Sequence, residues 1–89
     1  MKLNENFIMR DVIGEKIIVA KEGYVIDFHR LVTLNETAAF IWQKAEEQGT
    51  FTIDSLVEPL CNEYEVDKNT ARKCISDLLD DWKKMKLVV

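Results

Sequence analysis

The stretch Leu31-Val-Thr-Leu-Asn-Glu-Thr-Ala-Ala-Phe-Ile-Trp42 constrains the fold most, because within it an apolar extended run passes in three residues into an amphipathic helix. Leu31, Val32 and Leu34 suit a strand, and either Thr33, with Glu36 three residues on, or Asn35 can cap the adjoining helix. Ala38, Ile41, Trp42 and Ala45 then recur at helical spacing, and Gly49 supplies a stop. The chain before this junction reads as strand, and the chain after it as helix.

Phe7 to Ile13 predicts a first strand, Gly14-Glu15 a turn and Lys16 to Ala20 a second strand, together a hairpin. Lys21-Glu-Gly23 predicts another reversal, and Tyr24 to Val32 a third strand or two short pieces of one. A sheet this small packs one face on the helices and leaves at least one edge unpaired. Downstream, Thr52 caps a helix whose Ile53, Leu56, Val57, Leu60, Cys61 and Tyr64 follow the pattern of a buried face. Pro59 has no N–H for the Ser55 carbonyl, which predicts a kink or a carbonyl left to water. Asp67 caps the longest helix, Lys68 to about Lys86, with Ala71, Cys74, Ile75, Leu78, Trp82 and Met85 as its core face. Leu87-Val-Val89 either adds a short strand or packs down. With no repeat or linker, the expectation is a single α+β domain over residues 1–89: a three-stranded antiparallel N-terminal sheet followed by three helices, the contents of a winged helix-turn-helix in altered order.

At 89 residues and 47% hydrophobic content, such a domain buries roughly 60 to 65% of its unfolded surface and is marginally stable. A net charge of −4 repels phosphates, which argues against nucleic acid as a partner. No signal peptide and no run long enough to span a bilayer are visible, so no membrane role and a cytoplasmic location are expected. Cys61 and Cys74 lack Cys-x-x-Cys spacing and sit on predicted apolar faces, and they read as reduced core thiols with no metal or redox role. His29 has no Ser or Cys near it in sequence, and Glu46-Glu47 and Asp80-Asp81 are adjacent pairs on solvated helix faces. No glycine-rich phosphate loop is present. The expectation is a protein that is not an enzyme and carries no cofactor.

Two surfaces suit binding. An extended peptide can add as a strand to the free sheet edge, taking affinity from backbone hydrogen bonds. On the longest helix, Arg72, Ser76, Leu79 and Lys83 form a stripe separate from the core face, an apolar residue flanked by cations that suits an acidic and hydrophobic peptide. Alternatively, Leu79 only widens the core face and the two cations serve solubility.

The run Val32-x-Leu34-Asn35-Glu36-Thr37-Ala38-Ala39-x-Ile41-Trp42, then Thr52 with Leu56, then Tyr64-x-Val66-Asp67 before a helix with Leu78, Leu79 and a closing Leu87, resembles the PqqD family, named for pyrroloquinoline quinone biosynthesis. The resemblance covers nearly the whole chain. It implies a winged-helix-like recognition element that binds the leader of a ribosomally made precursor peptide and presents it to a modifying enzyme such as a radical SAM protein or a peptidase. It implies leader addition along the third strand, at Ile26, Asp27, Phe28, His29, Arg30, Leu31 and Val32, against a helix wall of Arg72, Ile75, Ser76, Leu79 and Lys83. Leu34, Asn35, Ala38, Ile41 and Trp42 are by contrast structural. The chain departs from the family pattern where many relatives carry a glycine before the terminal apolar residues and it has Lys86. The quinone pathway itself is not implied.

Two other classes stand beside this reading. A winged-helix DNA-binding or regulatory module would need a basic recognition helix, but Lys68, Arg72 and Lys73 are followed by Asp77, Asp80 and Asp81. A structural domain would pair its sheet edge with a second copy, and such a homodimer can coexist with peptide binding as a resting state.

Overall fold

The computed structural model describes residues 1–20 and 32–89. Strand β1 (Phe7–Val12) pairs antiparallel with β2 (Glu15–Ala20), and β2 with β3 (Val32–Leu34), in the order β1-β2-β3. Val12 faces Glu15 across the first pairing, so Ile13 and Gly14, not Gly14-Glu15, make the turn. Both have positive φ, 52° and 81°, the conformation a two-residue hairpin needs to match the strand twist. The third strand expected over Tyr24 to Val32 lies outside the described residues, except Val32.

Each of the helices α1 (Glu36–Gln48), α2 (Ile53–Tyr64) and α3 (Lys68–Lys84) starts at a side-chain cap. Asn35, not Thr33, caps α1, its Oδ1 accepting from the Ala38 N–H at 2.8 Å. Thr52 caps α2 reciprocally with Ser55, and Asp67 accepts from the Thr70 N–H and hydroxyl at 2.8 and 2.9 Å. Gly49 closes α1 at φ 74°, a left-handed-side backbone that a side chain would strain. Helix α3 ends two residues before the expected Lys86. There the Leu87 N–H reaches the Trp82 carbonyl and the Lys86 N–H the Lys83 carbonyl, with Lys86 at φ 63°. This paired terminator usually has glycine at the position Lys86 holds.

Pro59 lies inside α2 as expected, but the carbonyl it cannot serve is not left to water. Gln48, the last residue of α1, donates from Nε2 to Ser55 O at 2.9 Å and accepts from Ser55 Oγ at 2.6 Å.

Trp42 and Trp82, 0% and 1% exposed, meet edge to face at the centre of the core, ring centroids 5.2 Å apart. Ile18 and Leu34 bring the sheet to them, and Phe51, Leu56, Ile75 and Leu79 complete the cluster. Residues 1–4 are laced between two distant segments: Lys2 bridges Thr50 and Leu3 bridges Val88. The Val89 N–H donates to the Lys2 carbonyl at 2.8 Å, and the Asn4 N–H to the Leu87 carbonyl at 2.8 Å. The terminal apolar residues therefore do both things their sequence allows, pairing as a bridge while burying Leu87 and Val88.

Candidate functional site

Among the described residues the sheet ends on β3, whose inner edge is taken by β2 through Lys16, Ile17 and Ile18. Among the described residues no strand pairs with its outer edge. Backbone donors and acceptors along such an edge are the recognition groups that strand addition uses. Of the residues expected on this strand, Val32 lies on β3. Ile26, Asp27, Phe28, His29, Arg30 and Leu31 lie outside the described residues.

On α3 the core stripe is Ala71, Ile75, Leu79 and Trp82, all buried. Leu79, 1% exposed, therefore belongs to the core and not to an exposed stripe, which corrects the separate face expected for Arg72, Ser76, Leu79 and Lys83. The reason is register. Leu79 follows Ile75 by four residues and precedes Trp82 by three, so all three share one side of the helix. Ile75, 0% exposed, lies beneath the surface as well. Arg72 and Lys83 are exposed and Ser76 half-buried on one flank, and Arg72 Nη1 pairs with Asp54 Oδ1 at the start of α2. The cation is thus already engaged within the chain.

The opposite flank carries residues whose spacing alone suggests the core. Cys74 is exposed, and Leu78 and Met85 are half-buried. Cys61 is half-buried, and both thiols are free. At about 100° per residue, this flank is displaced from the core stripe on the side away from Arg72 and Lys83. Its Cys74 lines an open cleft of about 320 Å³ with Thr70 and Ala71 of α3, Leu60 and Tyr64 of α2, and Thr37 in the first turn of α1. Thr37 stands three residues beyond the last residue of β3, so the cleft lies where the edge strand hands over to the helices. The signal that locates this flank is present in the sequence: a core stripe spaced i, i+4, i+8, i+11 leaves Cys74 and Leu78 beside it.

Partial burial raises the Tyr64 phenol above its ordinary pKa, and the carboxylates of Glu36 and Glu63 add to the rise. Phe40 meets the Tyr64 ring edge to face at 5.6 Å. The cleft can receive an apolar side chain. Among the described residues no group of three or more His, Cys, Asp or Glu is placed to hold a metal ion, and no helix is long and apolar enough to cross a membrane.

The family model described as coenzyme PQQ synthesis protein D (PqqD) matches residues 15–88. The chain belongs to the PqqD family. No curated protein matches it. Among solved structures, TbiB1 in complex with the TbiA(beta) leader peptide is similar in fold, with a TM-score of 0.78 at 20% identity over 99% of this chain and 94% of that one. PqqD membership gives the junction residues Leu34, Asn35, Ala38, Ile41 and Trp42 their meaning: each is either buried or, for Asn35, a helix cap, as expected of structural positions.

Proposed function

We propose that this PqqD-family protein binds the leader of a ribosomally made precursor peptide by strand addition and presents it to a modifying enzyme. The outer edge of β3, unpaired among the described residues, carries the reading, and it is supported by a fold shared with a protein solved in complex with a leader peptide. The leader lies along β3 at Val32 and upstream of it. Its apolar side chains meet the Cys74, Leu78 and Met85 flank of α3 and the cleft at Thr37, while Ile75 and Leu79 support that wall from below. The recognition unit spans residues 1–89 and acts in the cytoplasm without a cofactor or chemistry of its own. The enzyme that receives the leader is of the radical SAM or peptidase kind. Backbone pairing supplies affinity at the edge, and the cleft supplies selectivity, since ordering a free peptide costs entropy that buried side chains must offset.

An amide-shift titration tests this, using the labelled protein and the leader encoded beside it. Shifts on 26–34 and on Cys74, Leu78 and Thr37 are the expected outcome. A folded monomer that shifts with no neighbouring leader would turn the reading toward a regulatory or dimerising module.

A further inference from the structure

A second cleft, of about 830 Å³, separates the β1–β2 hairpin from α1 and the end of α2. Its floor is apolar, formed by Met9, Ala39, Phe40 and the Tyr64 ring. Its rim is acidic, with Glu15 on the hairpin, Glu36 and Glu46 on α1 and Glu63 on α2. Two described cations near it are already paired: Lys16 with Asp11 at 2.5 Å, and Lys44, over the Phe40 ring, with Glu47 at 3.2 Å. Glu46 accepts from the Trp42 indole at 2.5 Å, whereas Glu15, Glu36 and Glu63 form no ion pair among the described residues. Carboxylates that no described residue pairs, set around an apolar floor, favour a cation carried next to an apolar side chain.

The hairpin tip beside this cleft adds a second observation. Ile13 is 98% exposed and sits at φ 52°, a region that a β-branched residue enters at a cost and where Asn, Asp or Gly is the usual choice. Neighbouring Val12 is 43% exposed. Folding alone favours neither the strain nor the apolar exposure, and strain kept at an exposed tip points to contact with something outside the chain.

We propose that this cleft is a docking surface for a partner-protein segment bearing Lys or Arg beside an apolar side chain, distinct from the leader groove. The cations meet Glu15, Glu36 and Glu63, and the apolar group lies between Phe40 and Ile13. Thr33 and Leu34 of β3 also line the cleft, so a partner seated there abuts the strand that the leader extends. Under the leader-binding reading, on which only its identity rests, that partner is the modifying enzyme.

The probe is a short synthetic peptide of alternating Lys and Leu, with its Glu and Leu counterpart as control, titrated into the labelled full chain at low salt. Shifts should centre on Gly14, Glu36, Phe40 and Gln43 with the cationic peptide alone. Affinity should fall about tenfold in Glu36→Gln/Glu63→Gln and stay unchanged in Asp80→Asn/Asp81→Asn, which alters the acidic side of α3. Ile13→Asn should bind the peptide more weakly while raising the thermal midpoint. Shifts on α3 abolished by Asp80→Asn/Asp81→Asn, equal response to both peptides, or cleft amides that move with protein concentration alone would each overturn the proposal. The same sample titrated with the leader reads 26–34 and Cys74, so failure of either surface is seen separately.

Discussion

Gln48 donates its side-chain amide to the Ser55 carbonyl at 2.9 Å, the acceptor that Pro59 strips of its helical partner. The end of one helix thus repairs the first turn of the next, and the short 49–52 connection is held at both ends. Gln48→Ala should destabilise by about 1 kcal/mol in a wild-type background. In a Pro59→Ala background, where a backbone N–H can return to Ser55, the same substitution should cost clearly less. A double-mutant cycle by urea denaturation measures the coupling.

Trp42 fills the centre of the core against Trp82, and its indole N–H is taken by Glu46. Trp42→Ala should cost roughly 3 to 5 kcal/mol through the cavity left behind. Leader affinity measured well below the melting temperature should be unchanged.

The two sides of α3 separate stability from recognition. Leu79→Asp places an unpaired charge at a 1% exposed site and should unfold the domain. Leu78→Asp should leave the fold cooperative while weakening leader binding about tenfold or more, read by calorimetric titration with the neighbouring leader. Retained affinity in a folded Leu78→Asp variant would move the groove to the Arg72 and Lys83 flank.

Asp67 has its carboxyl pKa lowered, first by the Thr70 backbone N–H and then by the Thr70 hydroxyl. A depressed folded-state pKa contributes stability that is present above the ordinary carboxylate pKa and lost as pH falls through the folded value. Asp67→Ala should therefore lower the urea midpoint at neutral pH, and the two proteins should converge in strong acid.

Lys86 occupies φ 63° where the α3 terminator usually has glycine. Lys86→Gly should stabilise by about 1 kcal/mol, since the native strain it relieves outweighs the added freedom of the unfolded chain. A higher thermal midpoint without a change in leader affinity is the expected result.

Features set within three or four residues are legible in the sequence. Thr52 and Asp67 announce their helices because a cap bonds to its own first turn, whereas Thr33 and Asn35 compete for the start of α1, and the Ile53 to Leu60 spacing places the buried face of α2 correctly. Features set by distant partners are not. The hairpin turn lies one residue earlier than its composition suggests, because Ile13 does not advertise a positive φ. Spacing alone sets the buried face of α3 too far toward Cys74, because small Ala71 and the flanking Leu78 leave the stripe's centre ambiguous. Nothing local in Met1 to Asn4 signals that these residues bridge Thr50 and Val88, and the partner of the Ser55 carbonyl sits seven residues upstream.

The two tryptophans of the chain are Trp42 and Trp82, and both are sealed in the core in mutual contact. Their fluorescence therefore reports only whether the domain is folded, and a tryptophan-free leader can saturate its groove without disturbing that signal. Intrinsic emission is thus an optical gauge of integrity blind to occupancy, which lets every groove variant be checked for folding in the same cuvette in which a labelled leader reports binding.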